Sequence, residues 1–440
     1  MSDSMNDEEK SLVPRLRFPE FRDVWCSSPM SERYSFRGNN SLSRDKLNYS
    51  EGSLRNIHYG DIHTKFALHF RVDAELVPYI NDGESHSVIR PENYCMPGDV
   101  VFADASEDME DIGKAIEVID TGDVPLVCGL HTILARPDTA NFALGFGAYL
   151  FSSEGTRKQI QREAQGAKVL GLSASRLGNV KLHYPRSTRE QQKIADCLSS
   201  LDALIAAQAD KLDALKIHKK GLMQQLFPRE GETIPRLRFP EFREAGEWEQ
   251  TNLEQLVDFR SGGTPSKANP AFWSGSIPWV SAKDMKQLFL DDTEDHISTV
   301  AVDDGAKMAS PGTLLMLTRG MTLLKDVPIC VLRRGMSFNQ DVKALRPKKD
   351  MDGLFLAFSL LANLHRLLKM VDIAGHGTGK LNTDELKLFE LVWPQSDEQQ
   401  KIANCLSSLD TLIAAQSDKF DALKTHKKGL MQQLFPSPEA

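Results

Sequence analysis

Apolar side chains fall at Ile194, Leu198, Leu201, Ile205, Leu212, Leu215, Leu222 and Leu226, with Gln208 and Lys219 filling the gaps. The steps alternate four and three residues, which is the seam of a coiled coil. The same seam returns at Ile402, Leu406, Leu409, Ile413, Gln416, Phe420, Leu423, Lys427, Leu430 and Leu434. Glu190–Pro228 maps onto Glu398–Pro436 by adding 208, with differences only at Asp196/Asn404, Ala203/Thr411, Ala209/Ser417, Leu212/Phe420 and Ile217/Thr425. Each copy ends at Phe-Pro, where proline stops a helix. Each begins with a capping-box spacing, Thr188 to Gln191 and Ser396 to Gln399. At about 1.5 Å per residue each helix runs roughly 58 Å. One seam needs one partner, and the simplest partner is the other copy. Two near-identical units favour a pseudo-twofold axis, hence antiparallel helices. Gln208 and Gln416 cost seam stability but can fix register.

A second repeat frames the first. Pro14-Arg-Leu-Arg-Phe-Pro-Glu-Phe-Arg22 recurs unchanged as Pro235–Arg243, just after the first long helix. Its prolines make it extended, and it reads as a strap joining each variable region to a helix end. Between the repeats lie two mixed regions with one grammar. In the first, Pro97-Gly98 precedes an apolar strand, Val124–Arg136 reads as a strand pair, and Phe142–Gln161 as a helix. In the second, Pro311-Gly312 precedes Thr313–Leu317, followed by a strand at Ser337–Leu345 and a helix from Met351 to about Met370. Gly166–Ser173 and Gly375–Asn382 occupy matching places before a final strand. Duplicates diverge where each copy reads something different and stay alike where both do one structural job. The expected division is 1–22 tail and strap, 23–187 first recognition domain, 188–228 central helix, 229–247 linker with the second strap, 248–395 second recognition domain, and 396–440 distal helix and tail. The fold class is α+β: two mixed α/β domains separated by two long antiparallel coiled-coil helices in a circular pseudo-twofold repeat.

At 440 residues the chain can bury more than one core. Its net charge of −8 means that any nucleic-acid surface is local. Cys26, Cys95, Cys128, Cys197, Cys330 and Cys405 are scattered, without a Cys-x-x-Cys pair, and read as reduced cytoplasmic thiols. No signal peptide is read, and the longest apolar run, Leu354–Leu361, is too short to span a bilayer. Residues 1–13 read as a polar, frayed tail. The candidate chemistry mostly cancels. Gly375–Lys380 is one residue short of a phosphate loop, and Leu381 stands where a magnesium-binding hydroxyl belongs. The amino-methyltransferase motif needs Pro-Pro, and none occurs. Asp384-Glu-Leu-Lys387 has an acid-x-Lys spacing seen in nucleases but sits at an exposed helix start, where solvated charge is the commoner reading. The eleven histidines show no metal-ligand spacing, so neither a catalytic residue nor a metal ligand is assigned. What remains is two diverged readers on a rigid spacer, suited to two DNA sites about 34–36 Å apart, one helical turn.

The duplicated EQQKIA…HKKGLMQQLF helix, the Gly262-Gly-Thr-Pro265 turn, the Gly377-Thr-Gly-Lys-Leu-Asn382 stretch and the two-copy layout resemble the specificity (S) subunit of type I restriction–modification systems. The resemblance covers about 14–436 and is clearer in the second region, since the first lacks the Gly-Thr-Pro turn. It implies that each region reads one half of a bipartite, gapped double-stranded DNA site. It implies that two modification (M) subunits dock on the chain, bringing S-adenosylmethionine and adenine methylation. It also implies restriction (R) subunits with ATP and Mg2+, while this chain holds no cofactor and does no catalysis.

Arginine and lysine reach guanine and phosphate, asparagine and glutamine reach adenine. On that basis the expected DNA contacts are Arg55, His58, Tyr59, His63 and Lys65 in the first region. In the second they are Arg260, Thr264, Lys267, Lys283, Arg319, Asn339 and Gln340, of which the last two could instead tie down a turn. Beside the seam, Leu204, Met223 and Phe227, with Leu412, Met431 and Phe435, form a belt expected to meet the M subunits, packing against the readers being the alternative. Two other classes stay open: a stand-alone bipartite DNA-binding protein, and a nuclease with an unrecognised active site.

Overall fold

In a computed structural model of the chain, residues 13–83, 90–348, 350–373 and 377–436 are described. The chain divides into two compact units, one of 1–208 with 419–440 and one of 209–418. The boundaries fall inside the long helices, Thr188–Leu226 and Ser396–Leu434. Each unit thus holds half of one helix and half of the other, because their seams are shared.

The seam follows its pattern. Ile194, Leu198, Gln208, Leu212 and Leu226 are buried, while Leu204 and Ile217 beside them are exposed. In the first unit Asp202 pairs with Lys427, and in the second Lys219 pairs with Asp410. Within each unit the start of one helix and the end of the other share a core, Ile194 and Leu198 with Leu434 in the first and Ile402 and Leu406 with Leu226 in the second, so the two run antiparallel.

Each unit carries a five-stranded sheet with the same topology. The first orders its strands Tyr34–Arg37, Thr132–Pro137, Val100–Ala103, Ala115–Asp120, His69–Arg71. The second orders them Val257–Ser261, Val342–Pro347, Leu314–Leu317, Ile329–Leu332, Phe289–Leu290. In both, the last strand is parallel to its neighbour and the others pair antiparallel. A smaller four-stranded sheet in each unit holds the parallel pair Leu126–Cys128 with Arg55–Ile57, or Met336–Phe338 with Ile277–Val280. Cores of Phe102, Tyr149 and Phe151, and of Phe338, Phe355 and Phe358, fill the units. The single helices read over 142–161 and 351–370 are each two, Phe146–Ser152 with Glu154–Glu163 and Gly353–Ala362 with Leu364–Lys369.

The helix starts correct the capping-box reading. Gln191 and Gln399 are fully buried and turn away from their own first turn. Gln191 Nε2 donates to the Asn141 and Pro185 carbonyls, and its Oε1 accepts from Ala143 N–H at 2.9 Å. Gln399 repeats this with Asp350, Pro394 and Asp352. A long-range amide lock has displaced a local cap, since the loop before each reader helix also has backbone groups to satisfy.

The straps work as clasps. Arg17 makes two hydrogen bonds of 2.7 and 2.8 Å to buried Glu190, and Arg238 makes two of 2.7 Å to buried Glu398. Lys193 pairs with Glu20 and lies over Phe18, just as Lys401 pairs with Glu241 and lies over Phe239. At the other end, Leu16 N–H donates to Gln433 O and Leu237 N–H to Gln225 O. Each strap therefore ties the start of one long helix to the end of the other.

Candidate nucleic-acid interface

The same turn follows one strand of the parallel pair in each small sheet, and each unit builds something different over it. Since Val127 pairs with Asn56 and Ser337 with Trp279, Gly129–His131 and Asn339–Asp341 are counterparts.

In the second unit the turn carries the Gly-Gly-Thr-Pro loop. A Cβ on Gly262 would lie 2.2 Å from Asn339 O and 2.3 Å from Phe338 O, so only glycine lets the two backbones approach. Gly263 N–H donates to Phe338 O, and the Trp279 indole N–H donates to Gly263 O at 3.1 Å. Thr264 Oγ1 donates to Gln340 Oε1, with both residues exposed. Asn339 is buried, and its Oδ1 accepts from Asp341 N–H at 3.1 Å, so it ties the turn down. Next to this loop, exposed Arg260 and Arg346 line a cavity of about 370 Å³ with Met308, Ser310 and Thr313. Lys343 Nζ donates to Ser261 Oγ. Arg346 and Lys343 are additions to the residues read from the sequence, visible only once the strands are paired. Lys267 is exposed.

Lys283 and Arg319 border the same turn, since Arg319 N–H donates to Asp341 O and Lys283 lies shortly after Val280, whose carbonyl accepts from Asn339 N–H. Lys283 is held by Asp295 at 2.9 Å and Glu294 at 3.2 Å, and the Asp295 hydrogen bond raises its pKa. A cation already between two carboxylates is a poor phosphate contact. Arg319 stands directly opposite Lys380 on a small antiparallel sheet, and both are exposed. Like charges placed opposite repel unless an anion joins them. Residues 374–376 of the neighbouring glycine-rich stretch lie outside the described residues.

In the first unit the turn meets the helix Tyr59–Thr64. His58 caps it, its Nδ1 accepting from Gly60 N–H at 3.1 Å. Burial, reinforced by Arg44, pulls the His58 pKa down. Asp61 is fully buried between Arg44, at 2.8 and 2.9 Å, and Lys65 at 2.9 Å. Burial would raise the Asp61 pKa, but those two cations outweigh it and hold the carboxyl below its usual value. His63 Nε2 donates to Ala105 O at 3.1 Å. Arg55 lies over the Tyr79 ring, with hydrogen bonds to Tyr79 Oη and Val72 O. Arg55, His58 and His63 thus have their partners inside the unit. Lys65 remains exposed, and Tyr59 half exposed beneath the ring of His131. Arg44, Tyr49 and His131 complete this face. Sequence reading passed over them because their partners are distant in the chain.

The belt beside the seam divides. Leu204 and Leu412 are exposed, at 56% and 40%. Phe227 is buried against Trp248 and Phe355, and Phe435 against Trp25 and Phe146, with Met223 and Met431 packed on the same cores. These four belong to the readers' cores, because the helix ends pass under each sheet.

Among the described residues no helix is long and apolar enough to cross a membrane. The family model of the type I restriction modification DNA specificity domain matches residues 76–216 and 245–425, most of the chain. The EcoR124I/EcoR124II specificity subunit of Escherichia coli is 31% identical over 229 residues, 52% of this chain and 53% of that one. The MjaIX specificity subunit of Methanocaldococcus jannaschii is 27% identical over 195 residues, 43% of this chain and 44% of that one. Each of these matches spans about half of the relative's length. The S subunit structure from M. genitalium shares the fold, with a TM-score of 0.61, 14% identity and coverage of 97% and 100% of the two chains. With two matched domains on two copies of one sheet topology, this chain belongs to the type I restriction–modification DNA specificity family.

Proposed function

We propose that the chain is the DNA-reading subunit of a type I restriction–modification complex, each recognition region reading one half of a bipartite, gapped site. The observation that carries this is the contrast between the copies. The long helices are nearly identical, whereas the counterpart turns carry Tyr59 and His131 in one unit and Thr264 and Gln340 in the other. Identical helices suit two copies of one partner, and different loops suit two different half-sites. Two M subunits dock on the helices, with exposed Leu204 and Leu412 as equivalent contacts. They supply S-adenosylmethionine and the methylation of adenine, while R subunits supply ATP- and Mg2+-dependent cleavage. This chain reads and does not catalyse, and the whole complex works in the cytoplasm. Arg260, Thr264, Lys267, Gln340, Tyr59 and Lys65 are the remaining DNA contacts of the set read from the sequence, Arg319 joining them through an anion shared with Lys380.

Expression of the full chain with its own M subunit, followed by single-molecule mapping of methylated bases, tests the reading. An asymmetric two-part motif with N6-methyladenine on both strands is expected. A soluble complex that methylates a continuous motif would contradict it.

A further inference from the structure

His131 holds a left-handed backbone, φ +57°, the only non-glycine to do so among the described residues. Such conformations persist where surrounding structure enforces them, and they gather at functional sites. The enforcement is visible here. Thr132 Oγ1 donates to Gly129 O across the turn, and Asp104 N–H donates to His131 O. The imidazole meets the Tyr59 ring edge-on, with centroids 5.2 Å apart. Its Nδ1 lies 3.2 Å from Asp104 Oδ1, and its side chain is 48% exposed.

A carboxylate only accepts, so Nδ1 carries the hydrogen in that pair. In the neutral ring Nε2 is then a bare acceptor, its tautomer fixed by Asp104 and its ring plane by Tyr59. The turn is the counterpart of the one that presents Gln340 in the second unit. Lys65, just past the helix that carries Tyr59, is exposed although it pairs with Asp61.

We propose that His131 is a base-reading residue of the first region, with Nε2 accepting a hydrogen bond from the exocyclic amino group of adenine or cytosine in the major groove. The assignment rests on the reading of the chain as a bipartite DNA reader. It explains why a strained, half-exposed histidine stands where glycine or asparagine would be easier.

His131→Gly tests it, because glycine adopts the left-handed conformation freely and removes only the side chain. The full-length variant is expressed with the M subunit, its folding is checked by thermal unfolding, and its methylation motif is mapped beside the wild type. The wild type should require adenine or cytosine at one position of one half-site. The variant should lose that preference, with discrimination falling about ten- to a hundredfold at that position and the other half unchanged. A folded variant with the wild-type motif would overturn the proposal. So would a uniform loss of methylation at every site, the mark of a phosphate contact. Absence of a two-part motif in the wild type would overturn the underlying reading instead, and this assignment with it. A variant that has lost folding would overturn the view that the side chain serves DNA more than the turn.

Discussion

Asp202 and Asp410 are one position of the repeat, and one hydroxyl separates their surroundings. Tyr149 Oη donates to Asp202 Oδ2 at 2.8 Å, and the Lys427 ammonium lies 5.3 Å from the Tyr149 ring centroid. In the second unit Lys219 lies 5.2 Å from the ring centroid of Phe358, which has no hydroxyl, and Asp410 Oδ2 is buried without a hydrogen bond. Leaving such an acceptor unmet costs about 1–3 kcal/mol. Phe358→Tyr should therefore stabilise the second unit by about 1 kcal/mol, read from denaturant unfolding of the full chain. A neutral or destabilising result would show that the carboxylate is already satisfied by water. A second asymmetry is titratable. Glu117 is buried and accepts N–H bonds from Gly145 and Ala148 at 2.6 and 2.7 Å, yet burial dominates and pushes its pKa from 4.5 up to about 7. Its counterpart in the strand register is Val331. The folded chain binds this proton more tightly than the unfolded one. The stabilisation is thus complete below about pH 4.5 and is lost as the pH rises through about 7. Glu117→Gln should flatten the fall in melting temperature across that window, whatever its effect on absolute stability. An unchanged slope would place the titration elsewhere.

The long helices and the repeated order of turn, strand and helix in the two regions were legible because their information is local or periodic. The seam steps gave the helices, the Phe-Pro stops gave their ends, and the offset of 208 made them partners. The strap was legible as a repeat, but its action was not. Arg17 and Glu190 lie in separate motifs, and only the fold brings them together. The Gln191 amide was misread for the same reason, since a local cap and a distant lock have one sequence signature. A buried, bidentate pair broken on one side typically costs about 3–5 kcal/mol. Arg238→Met should destabilise the chain by that order, and the double change with Glu398→Met should recover much of the loss in unfolding experiments. Equal destabilisation by both variants would mean that the pair contributes through packing alone. At the exposed part of the belt, Leu204→Glu with Leu412→Glu should leave melting unchanged and abolish co-purification of the M subunit. Retained binding by a folded double variant would remove these leucines from the docking surface.

For the whole molecule, the functional split lies between what was copied and what diverged. The helices repeat their residues, and the sheets repeat only their topology. The side chains of the two candidate faces escape sequence reading because they are fixed by turns and strands whose partners are far along the chain. Arg44 reaches Asp61, His131 reaches Asp104, and Arg346 joins Arg260 across a strand pair. Of the residues read first, those in the GGTP loop kept a surface role since glycine and proline mark loops directly. Those in Arg55–Lys65 mostly turned inward, because a dense polar stretch can serve a helix cap and a buried ion pair as well as a ligand. The most direct test of the account exchanges residues 23–187 for the matching region of another family member and maps methylation with the cognate M subunit. The account predicts a new motif in which one half changes while the other half and the gap length stay fixed. A change in both halves, or in neither, from a folded and methylating complex would contradict it.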